Sequence, residues 1–274
     1  MTTWIGADPP PAAEIGPAGW IRVALRGAAV VTVTFGGLAI LLLVRLLEAP
    51  LFAPRRPLTP WITQAVCRID LLLIGLRLEV RGQPMHQNGA AVANHASWLD
   101  ILVLNACQRV CFVSKAEIAR WPAIGWLARA TGTVFIARDP RAAGVQQRLL
   151  QERLRAGHHL LVFPEGTSTD GRRVLPFKTT LFGAFMAEGI RHAMAVQPIS
   201  VTYLAPDGED ARFYAWWGHM DFAPHAARVL ACPRRGTARV VFHAPLQADA
   251  YPSRKALAAA CEQAVRSGFG VASG

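Results

Sequence analysis

Apolar and polar positions change their rhythm along this chain. From Gly27 to Val44 no charge interrupts a hydrophobic run, which as a helix would extend roughly 27 Å, about the thickness of a hydrocarbon core. Beyond it Pro50, Pro54, Pro57 and Pro60, with Arg55 and Arg56 among them, predict a proline-broken linker that stops the helix. From Trp61 to Leu76 the apolar residues Ile62, Val66, Ile69, Leu72, Leu73 and Leu76 recur at helical spacing. They predict a second amphipathic helix that either covers the core or lies on a membrane.

From Leu78 onward short apolar runs alternate with helical stretches. Strands are predicted over 78–81, 90–94, 111–114, 133–136, 159–163, 198–203 and 238–243, and helices over 98–106, 124–130, 142–156, 180–191, 225–231 and 253–267. This order implies an α/β fold: a largely parallel central sheet covered by helices, preceded by one or two N-terminal membrane-associated helices. Residues 1–60 would form a tail, a membrane-associated or transmembrane helix and the proline-rich linker. Residues 61–274 would form one catalytic body.

Composition narrows the class. Hydrophobic residues make up 52% and charged ones 17%, too oily for a disordered chain and suggestive of lipid contact. The formal charge of +11 attracts nucleic acid, anionic headgroups or phosphorylated substrates alike. The arginines stand singly among apolar residues, as in Leu76-Arg77-Leu78-Glu79-Val80-Arg81, which suits a membrane surface and not a nucleic acid. Three readings of the Gly27–Val44 run stay open: a span, a helix lying in the interface, and a cleaved signal. Asp8, Glu14 and the run Pro9–Pro11 weigh against the signal. Arg55 and Arg56 favour an inner (cytoplasmic) membrane location with the body facing the cytoplasm, although Arg22 and Arg26 on the other flank soften that orientation. The 5 cysteines include no C-x-x-C pair, and the 8 histidines show no ligand spacing, so no metal is assigned.

Two constellations carry chemistry. In Asn94-His95-Ala96-Ser97-Trp98-Leu99-Asp100 a short strand ends at the histidine and Ser97 resembles a helix cap. Asp100 in the first turn leans back toward His95 and can fix its tautomer, leaving the other ring nitrogen to take a proton from a hydroxyl. Ser97 and Asp100 also fit a plain capping box. In Phe163-Pro164-Glu165-Gly166-Thr167-Ser168-Thr169-Asp170-Gly171 a strand feeds a glycine-containing loop whose single acid, Glu165, can accept hydrogen bonds from substrate hydroxyls or face a cation. An ordinary polar turn has the same composition.

Together these stretches resemble the glycerolipid acyltransferases typified by 1-acylglycerol-3-phosphate acyltransferase. The resemblance rests on His95 and Asp100, on Phe163-Pro164-Glu165-Gly166-Thr167, and on the weaker Thr133-Val134-Phe135-Ile136-Ala137-Arg138 and Val196-Gln197-Pro198-Ile199-Ser200. It implies direct transfer of a fatty acyl chain from acyl-acyl-carrier protein or acyl-CoA to a lysolipid hydroxyl, with His95 as general base, Asp100 as its partner and no cofactor. It further implies an acceptor site around Arg138, Glu165, Gly166 and Thr167, with Asn94 and Lys115 beside it. Many lysophosphatidate acyltransferases place an arginine where this chain has Ser168. That departure, with Ser168-Thr169-Asp170-Gly171 and Trp216-Trp217-Gly218-His219-Met220, is similar to the lyso-ornithine lipid acyltransferase branch, so both acceptors stay in view; Arg138, Arg172 or Arg173 would replace the missing cation. The chain has no G-x-S-x-G elbow, which disfavours a covalent lipase route. A thioesterase or lipid hydrolase using the same histidine, and a basic membrane scaffold without activity, are the competing functions.

Overall fold

A computed structural model describes residues 3–10, 14–87, 89–137 and 143–269. The first helix, α1 (Pro17–Phe52), is longer than expected at both ends, and Pro50 sits inside its final turn without stopping it. α1 is long and apolar enough to cross a membrane, and almost none of its apolar window is buried in the body. It nevertheless stays against the body. Arg22 Nε donates to the Ala231 carbonyl at 2.6 Å, and Arg26 donates to Cys232 and Leu230. These two arginines therefore cap a neighbouring helix end as well as bearing on orientation. α2 (Thr59–Ile74) runs back beside α1, at closest approach where Gly37 meets Val66. Buried Glu48 of α1 accepts hydrogen bonds from the Leu58 and Thr59 amides and the Thr59 hydroxyl, capping α2 from a distance.

The body contains β1 (Leu76–Arg81), β2 (Gly89–Ala93), α3 (Leu99–Cys107), β3 (Cys111–Lys115), α4 (Ile124–Ala130), β4 (Val134–Ile136), α5 (Ala143–Arg155), β5 (Leu160–Val162), α6 (Phe182–Phe185), β6 (Ala195–Leu204), α7 (Phe222–Ala231), β7 (Gly236–Phe242), β8 (Leu246–Gln247) and α8 (Arg254–Gly268). The sheet order is β1-β7-β6-β2-β5-β3-β4, with β8 beside β6. β2, β3, β4, β5 and β6 are mutually parallel; β1 and β7 are parallel to each other and run against β6. The expected largely parallel sheet is present. β2 is Gly-Ala-Ala-Val-Ala, buried throughout because helices cover both faces. Along β5, Leu161 joins the core under α2 and α3, while Leu160 and Val162 join the one under α5 and α8.

Two expectations fail locally. The helix foreseen over 180–191 shrinks to the four residues of α6, and the chain turns again at Gly189, whose φ of +79° is left-handed. β8 is too short for periodicity to reveal.

Candidate active site

Each motif lies where a parallel strand ends, and β2 and β5 are adjacent, so topology alone brings His95 and the Phe163–Thr167 loop together. His95 Nδ1 lies 2.7 Å from Asp100 Oδ2, as the sequence predicts. The capping function is present too: the Ala96 and Ser97 amides donate to the same Oδ2 at 2.8 and 3.0 Å. One carboxylate thus holds the helix start and the imidazole together. Its other oxygen accepts from Tyr203 Oη at 2.6 Å. Burial, then the Asp100 charge, pushes the Tyr203 phenol well above its ordinary pKa and keeps it a donor. Phe163 stacks on the His95 ring with centroids 4.1 Å apart, fixing its plane.

The imidazole is partly exposed and lines a cleft of about 480 Å³ with Ser114, Lys115, Gly166, Thr167, Ser168 and Trp216 among its walls. With Nδ1 committed, Nε2 is the ring nitrogen left for a substrate. Gly166, at φ +71°, makes the turn that lets the loop wall the cleft.

Glu165 departs from expectation. It is 1% exposed, and its two oxygens accept from the His95 and Leu175 amides, each at 2.7 Å. It does not line the cleft but ties the start of the His95 turn to the segment at Leu175. Burial, with a contribution from Asp100, pushes its carboxyl up to about 8, against the lowering effect of the two amides. Asn94 is likewise engaged elsewhere: its side-chain amide donates to the Val201 carbonyl and accepts from the Val201 amide, both at 2.8 Å, bridging β2 to β6. Arg138 lies outside the described residues. Arg173, a candidate replacement cation, is paired with buried Asp170 at 2.9 Å, whereas the Arg172 side chain is exposed.

Sequence reasoning missed several contributors. Tyr203 gave no signal because its partner is distant in the chain. Trp98 Nε1 donates to His225 Nδ1 at 3.0 Å, and burial lowers His225 to about 4, which keeps its imidazole a neutral acceptor. The Thr169 amide donates to the His95 carbonyl and the Trp216 amide to the Ala96 carbonyl, so the Trp216–Gly218 stretch is a wall of the site. The N-terminal segment crosses the cleft rim: the Trp4 amide donates to Thr167 Oγ1, and Trp217 Nε1 donates to the Ala7 carbonyl.

A second cavity, of about 350 Å³, is almost wholly apolar. It shares Ser114 and Ile118 with the cleft and runs under α1 between Leu41, Val66, Leu127 and Ala128. Among the described residues no group of three or more His, Cys, Asp or Glu converges as a metal site would require. Burial pushes the Cys107 and Cys261 thiols up to about 12, which leaves them poor nucleophiles.

The family model described as Acyltransferase matches residues 77–202, the stretch that contains both motifs. A Rhodobacter capsulatus protein named lyso-ornithine lipid O-acyltransferase is 61% identical over 97% of each chain, and one from Rhizobium meliloti with the same name is 34% identical over 90% of this chain and 85% of that one. A Neisseria gonorrhoeae 1-acyl-sn-glycerol-3-phosphate acyltransferase is 39% identical over 44% of this chain and 49% of its own. The crystal structure of the Thermotoga maritima 1-acyl-sn-glycerophosphate acyltransferase superposes with a TM-score of 0.64 at 20% identity, covering 92% of this chain and 95% of that one, a likeness of fold. Family match and long relatives agree with the geometry: this chain belongs to the acyltransferase family.

Proposed function

We propose that this acyltransferase esterifies the free hydroxyl of a lysolipid, with lyso-ornithine lipid as the acceptor, and that His95 is the general base. The observation that carries the reading is the 2.7 Å contact from Asp100 to Nδ1 of a ring whose other nitrogen borders the cleft. In the reaction Nε2 takes the acceptor's hydroxyl proton as that oxygen attacks the carbonyl carbon of an acyl thioester. The tetrahedral adduct collapses with cleavage of the C–S bond, and the imidazolium returns its proton to the departing thiolate. Asp100 stabilises the imidazolium between the two steps.

Buried, strongly protonated thiols favour direct transfer over an acyl-cysteine intermediate. The apolar chamber opening beside the cleft suits the acyl chain of the thioester. Acyl-acyl-carrier protein and acyl-CoA both supply that functional group, and Lys115 and Arg138 remain candidates for the anionic end of the acceptor. Ser168 in the position of a fork-shaped cation favours a headgroup with less charge than a phosphomonoester. The long relatives bearing the lyso-ornithine name point the same way. The exposed apolar face of α1 fits attachment to the cytoplasmic face of the inner membrane.

Purified protein, acyl-acyl-carrier protein and either lyso-ornithine lipid or lysophosphatidate, in separate reactions, test the reading. Ester product with lyso-ornithine lipid is expected. Product only from lysophosphatidate would overturn the acceptor, and release of free fatty acid without an acceptor would make the enzyme a hydrolase.

A further inference from the structure

The edge of the sheet opposite the catalytic cleft carries a hollow of about 680 Å³ that acyl transfer does not use. Its floor is the start of β3 and β5, at Val110, Cys111 and His159, and its walls carry Arg55, Arg56, Arg109, Arg155 and His158. Among the described residues no acidic side chain lines it. Helix C-termini gather at this edge of an α/β sheet, and some arginines are consumed by them: Arg56 donates to the Ala130 carbonyl at the end of α4. Arg109 stacks over the Trp61 ring at 3.7 Å. Among the described residues none of Arg55, Arg109 and Arg155 has a carboxylate within 4 Å.

The charge is concentrated enough for its members to oppose one another. Burial lowers His158 and His159, and neighbouring cations lower both further: Arg153 and Arg56 act on His158, Arg109 and His86 on His159. Such a field favours an anion. The rim identifies the anion's source. Phe52, at the exposed end of α1, and Trp61 line the mouth, and Leu47, Leu51 and Leu58 continue the apolar surface away from it. An aromatic rim joining an apolar helix face to a cationic concavity matches the headgroup level of a bilayer, with tails on one side and phosphate on the other.

We infer that this hollow binds the phosphate of an anionic membrane phospholipid, seating the enzyme on the bilayer through a headgroup site on the sheet edge opposite the catalytic cleft. A concave pocket with an apolar rim fits one headgroup better than the convex surface of an acidic protein, and that protein is an outcome of the test.

The test uses the full chain with Arg55, Arg109 and Arg155 each changed to Gln, sparing Arg56 because it caps α4. A matched control changes Arg148, about two turns along α5 from Arg155, and Arg254 and Lys255 at the start of α8, none of which lines the hollow, to Gln, removing equal charge. Unchanged thermal melting establishes that both variants fold. Vesicle flotation then compares phosphatidylcholine with phosphatidylcholine containing phosphatidylglycerol. The hollow variant is expected to lose at least about tenfold of the preference for phosphatidylglycerol vesicles, and the control less than about twofold. Equal losses would reduce the effect to net charge and overturn the inference. Retained preference with lost binding of inorganic phosphate would make the hollow a soluble-phosphate site. Retained preference with lost binding of acyl carrier protein would make it a protein-docking site. Either result also overturns the inference.

Discussion

At the C-terminal ends of β2 and β5, hydrogen bonds to particular atoms fix the geometry: Asp100 alone accepts from His95, Ala96, Ser97 and Tyr203. Under α1, adjoining the cleft through Ser114 and Ile118, the 350 Å³ chamber is shaped mainly by aliphatic side chains of α1, α2, α3 and α4, with Phe112 and Phe222. Hydrogen bonds require particular atoms at fixed spacing, so the first region tolerates almost no substitution. Dispersion and burial require only volume, so the second tolerates many. On the proposed function, chemistry is specified by identity and the reach of the acyl chain by shape.

This contrast sets the order of expected effects. His95→Ala removes the proposed base and is expected to lower kcat by about 10³-fold with unchanged melting, measured as ester formation on lyso-ornithine lipid. A loss of only a few fold would break the comparison at its centre. In the chamber Ala128→Phe fills space without removing a hydrogen-bonding side chain. It should reduce the kcat/KM ratio of long to short acyl donors at least about tenfold while sparing short ones. Uniform loss across chain lengths would mean that the chamber does not hold the acyl chain.

Tyr203→Phe deletes one donor to Asp100 while keeping the ring, and should cost about tenfold in kcat with little change in KM. Glu165→Gln is the finest test, because Glu165 acts on loops and not on substrate. Its carboxyl is raised to about 8 from an ordinary 4.5, so the folded chain retains a proton that the unfolded chain releases earlier. The stability contributed by that protonated group is complete below about pH 4.5 and is lost as pH rises through 8. Glutamine cannot ionise, so the melting temperature of the variant should fall less steeply between pH 5 and 8. It should also be lower at pH 5, because one backbone amide loses its acceptor. Parallel pH profiles for variant and parent would remove Glu165 from this account.

Legibility in the sequence followed the same division. The His95–Asp100 geometry was readable because both residues lie in one strand-to-helix turn, where spacing fixes distance. The parallel sheet was readable because β2 and β5 are buried on both faces and so appear as unbroken apolar runs, whereas β6, equally buried, is interrupted by Gln197, Ser200 and Thr202. Tyr203 was not, since its register opposite Asp100 depends on how β6 pairs with β2. Glu165 was misread: a lone acid in a glycine-containing loop looks solvent-facing until the strand order puts the His95 and Leu175 amides on either side of it. Asn94 was misread for a similar reason, its amide being used in joining strands. The α1–α2 pairing depends on Glu48, an acid in the last turns of an apolar helix, whose capping of α2 no periodicity reveals.

The central claim is that Asp100 acts on the reaction through His95. Its most direct test is the rate of ester formation on lyso-ornithine lipid by His95→Ala, Asp100→Asn and the double variant, each verified as folded. The account predicts that both single variants are severely impaired and that the double variant is no slower than His95→Ala, because the carboxylate has nothing left to orient. Losses that multiply in the double variant, or a His95→Ala enzyme that keeps its rate, would contradict it.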